Sequence, residues 1–169
     1  MNQFECHRLP HMPHMIEPMA KAVLDMRPRH GAEDTTLEDL RRFYRGVLAG
    51  EQGTSQTVIA TDEQDKFAAM ATITPEGMDN PPELKGWLFE LYVLPKYRCL
   101  GLGTWLLAQA EAEALAMGYQ TLHLFSEDSQ PFFEGAGWDK LKDSHLKGRP
   151  GTVMVKDIAK QARLAVNQE

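Results

Sequence analysis

The sequence predicts a mixed α/β (α+β) fold, with a central sheet of about six to seven strands and helices on both faces. The first observation is a succession of strand-like and helix-like apolar patterns along the chain. The second is the length of 169 residues, which suits one compact domain. The third is an ordinary globular composition, with 43% hydrophobic and 25% charged residues. We therefore expect a single domain over residues 1–169.

The first half of the chain, about 1–85, contains both kinds of pattern. One segment with helical spacing of apolar residues ends at Pro28, and Thr36 caps the next, which closes near Gly50. Two period-two patterns then flank a polar turn. The predicted elements are a strand at 4–9, helices at 13–26 and 36–50, strands at 56–60 and 67–74, and a loop at 75–85.

The second half, about 86–158, begins with the near-continuously apolar stretch WLFELYVLP, which is typical of a well-buried strand. A glycine-containing loop then leads into a helix that Gly118 stops. The predicted elements are a strand at 87–94, a helix at 102–117, a strand at 120–126, a short helix before Trp138, and two strands within 138–158 joined by a turn at 148–151.

The charge balance argues against one class of partner. The chain carries 18 Lys and Arg against 24 Asp and Glu, a formal net charge of −6. No basic face is evident, so we predict no nucleic-acid partner. An acidic protein that binds a polyanion must do so locally, through backbone amides and one or two cations. The overall sign suits a cationic amine as substrate.

Three features of the sequence predict the cellular compartment of the protein. Two cysteines, Cys6 and Cys99, cannot form a disulfide framework, which favours a reducing compartment. The N-terminal segment lacks the basic-then-apolar layout of a signal peptide. The best apolar run, Trp87 to Leu94, is short and carries Glu90, so we predict no membrane span. These features together predict a cytoplasmic protein.

A group of possible metal ligands lies near the N-terminus. Cys6, His7, His11 and His14 have the right side-chain chemistry, but their spacing matches no established zinc site. Prolines also stiffen this segment. We therefore predict no metal cofactor.

The segment RCLGLG, from Arg98 to Gly103, stands directly ahead of an amphipathic helix. The first N–H groups of a helix have no partner within it, and the macrodipole places partial positive charge there. Glycines at alternate positions let a phosphate approach the backbone, and Arg98 adds a cation. This pattern predicts a phosphate or pyrophosphate site, while a plain strand-to-helix turn remains the alternative.

Two other phosphate-binding motifs do not fit the same residues. A P-loop requires Gly-Lys-Ser/Thr at its end, whereas Gly103 is followed by Thr104 and Trp105. A dinucleotide fingerprint requires a third small residue where Leu106 stands, and its glycines directly at the end of the strand. A nucleotide-binding oxidoreductase is therefore the weakest of the alternatives, and it predicts affinity for NAD.

Two longer segments resemble one protein family. ELYVLPKYRCLGLGTWLLAQAEAEALAMG is similar to the core motif of the GNAT superfamily of acyl-CoA-dependent N-acyltransferases, in which a strand ending in V-x-P is followed by R/Q-x-x-G-x-G/A and a helix. PFFEGAGW resembles the later F-Y-x-x-x-G-F/W segment of that superfamily, at about the usual separation. The resemblance covers Trp87 to Trp138 and is looser over the N-terminal part.

The resemblance implies a single GNAT-like domain with acetyl-CoA as co-substrate, in which the half at about 1–85 forms the acceptor side and the part at about 86–158 the cofactor-binding core. In this family a splayed strand pair receives the cofactor, here the strand from Trp87 to Leu94 and the strand beginning at Thr121. Backbone groups of Leu91 and Val93 would pair with the pantetheine arm. The other cofactor-binding positions implied by the motifs are Arg98, Cys99, Leu100, Gly101, Leu102, Gly103, Thr104, Ser126 and Phe133.

The implied reaction is direct attack of an amine on the thioester, with both substrates bound together. Glu90, within an apolar strand, is the candidate to accept the amine proton. The alternative is that Glu90 points outward or pairs with a structural cation. Many family members use a tyrosine to protonate the leaving thiolate, and Phe133 stands at that position. Tyr92, Ser129 or water would then be the acid, or the step needs none.

The sequence therefore predicts an acetyl-CoA-dependent N-acetyltransferase that acts on a primary amine of a small molecule. A peptide or protein amine as acceptor remains open. A second hypothesis, an acyl-CoA-binding regulatory module without catalysis, follows from Phe133. The family is often dimeric, so a homodimer through the C-terminal strands is also considered.

Overall fold

The computed structural model describes residues 3–26, 35–51, 55–77 and 83–160. Within these ranges the strands are β1 (Phe4–Arg8), β2 (Gln56–Asp62), β3 (Phe67–Thr74), β4 (Trp87–Val93), β5 (Thr121–Ser126), β6 (Asp139–Leu146) and β7 (Arg149–Asp157). The helices are α1 (Ile16–Met26), α2 (Leu37–Ala49), α3 (Leu102–Ala116) and α4 (Gln130–Gly135), and short 3₁₀ turns occupy Leu9–His11, Pro13–Met15 and Pro95–Tyr97. Over the described ranges, no helix has the length and apolar character of a membrane span. Pro28 and part of the loop predicted at 75–85 lie outside the described residues.

All seven strands form one mixed sheet, in the order β1-β2-β3-β4-β5-β7-β6. β1 and β2 are antiparallel, as are β5 and β7, and β6 and β7. β4 and β5 run parallel, with Trp87 opposite His123, because α3 carries the chain back between them. A mixed sheet with helices confirms the predicted fold class. The divergence of β4 and β5 around a cofactor stays a prediction.

The turn predicted at 148–151 is wrong in its position. Leu146 stands opposite Arg149, so Lys147 and Gly148 are the two residues of the turn. Both have positive φ, 49° and 76°, as a type I′ hairpin requires. Pro150 therefore belongs to β7. Its missing N–H is tolerated because the pairing of β7 with β5 begins farther along, at Thr152.

The second helix begins and ends where the sequence predicts. Thr36 accepts a hydrogen bond from the N–H of Asp39 at 3.2 Å, and the Asp39 carboxylate accepts one from the Thr36 N–H at 2.9 Å, which makes a capping box. Gly50, with φ of 73°, closes the helix in the left-handed conformation. The buried positions between these ends are Leu40, Tyr44, Gly46 and Val47.

Residue contacts divide the chain into two compact units. The first comprises Met1–Thr72 with Glu90–Gln109, and the second comprises Ile73–Phe89 with Ala110–Glu169. The first has a core of buried apolar side chains from Leu9 to Tyr92 along the chain, including Met15, Met19, Val23, Leu40, Tyr44, Ile59, Phe67 and Met70. Buried apolar residues of the second unit include Trp87, Leu122, Leu124, Trp138, Val153 and Met154.

An ion pair joins the two helices of the first unit. Arg41 on α2 donates from Nε and Nη2 to the two carboxylate oxygens of Glu17 on α1, each at 2.8 Å. Lys21, one turn along α1, lies 3.2 Å from the same carboxylate. Arg41, followed by Lys21, lowers the pKa of Glu17 from 4.5 to about 2. The pair therefore holds α1 against α2 by a bidentate, charge-assisted hydrogen-bond contact.

A buried ion pair connects three elements of the second unit. Lys156 on β7 donates to both carboxylate oxygens of Glu111 on α3, at 2.8 and 2.7 Å, and to the carbonyl oxygen of Ala136 at 2.7 Å. The Trp138 indole N–H donates to the same carboxylate at 2.9 Å. Lys156 and Glu111 expose 7% and 12% of their side chains. The network holds the end of α4 against α3 and β7.

We expect Lys156→Met to lower the free energy of unfolding by about 3 kcal/mol, because it leaves the Glu111 carboxylate buried without its cation. Adding Glu111→Gln should recover part of this loss, since the amide still accepts the Trp138 N–H without a charge. Urea unfolding measures both values. Lys140→Met, which removes an exposed pair with Asp143, is the control and should cost at most about 1 kcal/mol. Equal losses for the two lysine variants would contradict the assignment.

A second prediction concerns pH. Because the folded-state pKa of Glu17 is lowered, the stabilisation from its ion pair is fully present above pH 4.5 and is lost as the pH falls toward 2. We expect Glu17→Gln to be less stable than the wild type at neutral pH and to lose that difference over this window. Urea unfolding at a series of pH values measures it. In an Arg41→Gln background the pH dependence should shrink, and an unchanged dependence there would speak against the pair.

Candidate active site

Glu90 lies in β4, in the first unit, and its carboxylate is turned inward. The same oxygen, Oε2, accepts hydrogen bonds from the Tyr44 hydroxyl at 2.6 Å and from the Thr72 hydroxyl at 3.3 Å. The Thr72 oxygen in turn lies 3.0 Å from the hydroxyl of Thr57. Of the two interpretations left open by the sequence, an outward-pointing Glu90 is therefore wrong. A part-buried carboxylate on this strand needs hydrogen-bond donors, and Tyr44 of α2 and Thr72 of β3 supply them.

The neighbours of Glu90 on β4 alternate between the two faces of the strand. Tyr92 shares the face of Glu90, is buried in the core, and has the Arg98 guanidinium carbon 5.7 Å from its ring centroid. Leu91 and Val93 take the other face and are partly buried. The Val93 carbonyl accepts a hydrogen bond from Nε of Arg98 at 3.0 Å. Arg98 is thus held back against the strand that precedes it.

Tyr97 anchors the loop between β4 and α3. Its hydroxyl donates a hydrogen bond to the Asp62 carboxylate at the end of β2, and its ring meets Phe4 edge to face, with centroids 5.5 Å apart. The hydrogen bond from Tyr97 is the main cause that lowers the pKa of Asp62. Lys96 lies 4.4 Å from the same ring. These contacts fix the position from which the glycine-containing segment starts.

The segment from Arg98 to Thr104, for which the sequence predicts an anion site, has an unusual backbone. Cys99 and Gly101 both have positive φ, 61° and 77°. Arg98, Cys99, Leu100 and Gly101 are exposed, whereas Leu102, where α3 begins, is buried. The N–H groups of Leu102, Gly103 and Thr104 form the first turn of a 15-residue helix and have no acceptor within it. An exposed cation and positively polarised amides fit a pyrophosphate.

Three further predicted positions lie together in the second unit. Ser126 is buried, and its hydroxyl oxygen accepts a hydrogen bond from the Ser129 N–H at 3.0 Å. The Ser129 hydroxyl is exposed and donates to Asp128 at 2.9 Å. Phe133 is buried and meets Trp138 edge to face, with centroids 6.0 Å apart. Ser126 therefore holds the turn into α4, and the Phe133 ring packs in the core.

An open cleft of about 520 Å³ in the first unit was not anticipated from the sequence. It lies along one side of α1, facing the β2–β3 turn and the end of β4. Its apolar lining consists of Met15, Pro18, Ala22, Phe67 and Leu94, and its polar lining of His14, Lys21, Asp25, Asp65 and Lys66. No motif signals it, because its residues come from three distant segments. None of the predicted site residues lines it.

The contacts that orient Glu90 were also missed. Tyr44 belongs to the helical apolar pattern of α2, but nothing in that pattern pairs it with a strand 46 residues away. Tyr97 lies in the loop before α3, and its hydrogen bond to Asp62 joins residues 35 positions apart, so no local pattern reveals it. Over the described ranges, no three His, Cys, Asp or Glu side chains lie together as a possible metal site. The expectation of no metal stays a prediction.

Gly101 provides a test of the loop conformation. We expect Gly101→Ala to lower the free energy of unfolding by about 1–2 kcal/mol, because a side chain opposes its positive φ. Gly135→Ala is the matched control, since an added Cβ there has no atom within 4 Å and alanine favours the helix by about 0.5–1 kcal/mol. Urea unfolding compares the two. A Gly101→Ala variant as stable as the wild type would refute the left-handed turn.

Comparison with known proteins gives one family. The model of the acetyltransferase (GNAT) family matches residues 20–138, more than half of the chain. No curated protein matches the sequence. Solved structures match over nearly their full lengths, at identities that show similarity of fold.

Three of these structures illustrate the similarity. A chimera of the spermidine N-acetyltransferase SpeG from Vibrio cholerae and hSSAT has a TM-score of 0.72 and 11% identity, covering 95% of this chain and 98% of that one. Aminoglycoside 6'-acetyltransferase type Ii has a TM-score of 0.70 and 18% identity, covering 91% of this chain and 97% of that one. A GNAT-family acetyltransferase from Staphylococcus aureus Mu50 has a TM-score of 0.67 and 15% identity, covering 91% of this chain and 99% of that one. The chain therefore belongs to the GNAT family of acetyltransferases and is an acyltransferase.

Proposed function

We propose that this protein transfers an acetyl group from acetyl-CoA to a primary amine of a small molecule, by direct attack while both substrates are bound. The observation that carries the proposal is the Glu90 carboxylate, held in the middle of β4 by two hydroxyl donors. A carboxylate so placed, on the strand that precedes the proposed anion site, is equipped to take a proton from a bound amine.

The cofactor is proposed to lie along β4 and at the start of α3. The N–H groups from Cys99 to Thr104 would hold the pyrophosphate, with Arg98 as a nearby cation. Support comes from the two positive φ values at Cys99 and Gly101, and from the exposure of this loop. Backbone groups of Leu91 and Val93 would pair with the pantetheine arm.

The chemistry assigned to Glu90 is proton acceptance. An amine of the lysine type is mostly protonated at neutral pH and attacks only as the free base. As its nitrogen forms a bond to the acetyl carbon, the bond from that carbon to sulfur breaks, and the proton of the amine passes to Glu90, directly or through water. Orientation of the two substrates supplies a large part of the rate.

The leaving thiolate is proposed to need no dedicated acid. Phe133 cannot donate a proton and packs against Trp138. Ser129 already donates its hydroxyl hydrogen to Asp128, and the ring of Tyr92 is buried in the core. Thiolate is a fairly good leaving group and can take its proton from water. Tyr92 and Ser129 remain the side-chain candidates if an acid acts.

A cationic small amine is the proposed acceptor class. The formal net charge of −6 favours the approach of a cation. The names of two similar structures, a spermidine and an aminoglycoside acetyltransferase, describe amine acceptors of those proteins, and they motivate a first set of amines to screen. The homodimer and the cytoplasmic location stay predictions.

A second candidate function follows from Phe133. If catalysis in this chain requires the family's tyrosine, the protein is an acyl-CoA-binding regulatory module. The two functions differ in one observable, since both bind acetyl-CoA but the second releases no free thiol with any amine.

The test combines calorimetric titration of acetyl-CoA with a screen of amines for thiol release. We expect saturable binding of acetyl-CoA, and turnover with at least one amine. Glu90→Gln should retain acetyl-CoA affinity and lose about 10²–10⁴-fold in kcat, because the proton acceptor is removed. Glu63→Gln, an exposed carboxylate of the β2–β3 turn, is the control.

Each other outcome has a definite meaning. Undiminished turnover of Glu90→Gln would remove Glu90 as the base. Binding of acetyl-CoA without turnover by the wild type would favour the regulatory module. Absence of acetyl-CoA binding would overturn the cofactor assignment and the proposed function with it.

A further inference from the structure

Tyr44 is the residue on α2 that reaches Glu90. It is fully buried, with 0% of its surface exposed, in the core of the first unit. Its hydroxyl donates to Oε2 of Glu90 at 2.6 Å, and the sulfur of Met70 lies 3.6 Å from the same hydroxyl. Sulfur is a weak acceptor, so the carboxylate is the principal partner of this hydroxyl.

Packing does not explain a tyrosine at this position. A buried phenol must find a hydrogen-bond partner or lose the free energy of its hydration. Phenylalanine would fill most of the same volume without that requirement. Here the partner is a charged group on another element, and a hydrogen bond to a carboxylate is short and roughly twice as strong as a neutral one. The hydroxyl of Tyr44 is therefore explained by the hydrogen bond that it donates to Glu90.

The hydroxyl of Tyr44 is held in place by the rest of α2. The helix is capped by Thr36 and closed at Gly50, and its exposed side is tied to α1 by Arg41 and Glu17. Thr72 of β3 donates to the same oxygen. Two donors from two elements thus define the orientation of the Glu90 side chain.

We propose that Tyr44 is a positioning residue, whose hydroxyl orients the Glu90 carboxylate and favours its ionised form for accepting the proton of the substrate amine. The inference rests on the proposed function, because it assigns a partner to the proposed base. A donor to a carboxylate stabilises the charged form. Among the described contacts of Glu90, Tyr44 of α2 is the titratable donor, Thr72 of β3 is the neutral one, and Tyr92 is the titratable neighbour on the same face of β4.

The first test needs no acceptor amine. The carboxyl carbon resonance of Glu90, assigned through its loss in Glu90→Gln, is followed against pH in the full chain. We expect Tyr44→Phe to move its titration midpoint to higher pH, because the carboxylate loses a donor. Thr61→Val is the matched control: it removes a fully buried hydroxyl of β2 that bonds His7, and it should lower stability while leaving the midpoint nearly unchanged. Equal midpoints in the wild type and Tyr44→Phe would overturn the proposal.

The second test uses the amine identified by the screen. We expect Tyr44→Phe to lower kcat roughly tenfold, part of the contribution of a general base, with the KM for acetyl-CoA unchanged. The acid limb of the kcat/KM profile should move to higher pH together with the resonance. A loss of kcat that only follows the unfolded fraction, as in Thr61→Val, together with an unmoved acid limb, would show a structural role and overturn the assignment.

The failure of this inference can be separated from failure of the proposed function. In the double variant with Glu90→Gln, Tyr44→Phe should cause no further loss of kcat, because both changes act on one step. Full turnover by Glu90→Gln would remove the base and the inference with it. An inactive Glu90→Gln beside a fully active Tyr44→Phe would remove the inference and leave the base.

Discussion

A carboxylate in the middle of an apolar strand is the constraint on which the first unit depends. The part-buried carboxylate of Glu90 on β4 needs hydrogen-bond donors, and those donors must come from the elements packed against that face. Tyr44 and Thr72 supply them from α2 and β3. The capping of α2 and its ion pair with α1 therefore bear on the candidate base, because they determine where the Tyr44 hydroxyl lies.

The loop before α3 shows a second dependence of the candidate site on distant contacts. The positive φ of Gly101 and the first-turn amides without an acceptor inside the helix follow from local sequence, since a glycine and the start of a helix produce them. The position of the loop does not follow from local sequence. Tyr97 ties the loop to Asp62 and Phe4, and Arg98 folds back onto the Val93 carbonyl. These contacts between distant residues therefore decide where the proposed anion site lies.

The second unit explains why Phe133 is compatible with the fold. Its ring packs edge to face on Trp138, whose indole in turn binds the Glu111 carboxylate within the buried pair with Lys156. A phenylalanine needs no hydrogen-bond partner there. The packing of α4 is thus achieved without a hydroxyl at this position.

Periodicity, caps and glycine positions predicted the order of strands and helices, the ends of α2 and the loop at the start of α3, because these depend on contacts between residues a few positions apart. Even there, the β6–β7 turn was displaced by two residues, since the register of a hairpin is decided by pairing and by positive φ at Lys147 and Gly148. The partners of Glu90, the anchor of Tyr97 and the Glu111–Lys156 pair join residues 18 or more positions apart in the chain. Only the packing of the chain brings such groups within hydrogen-bonding distance. A charge removed from water then forms hydrogen bonds with the donors that this packing places beside it.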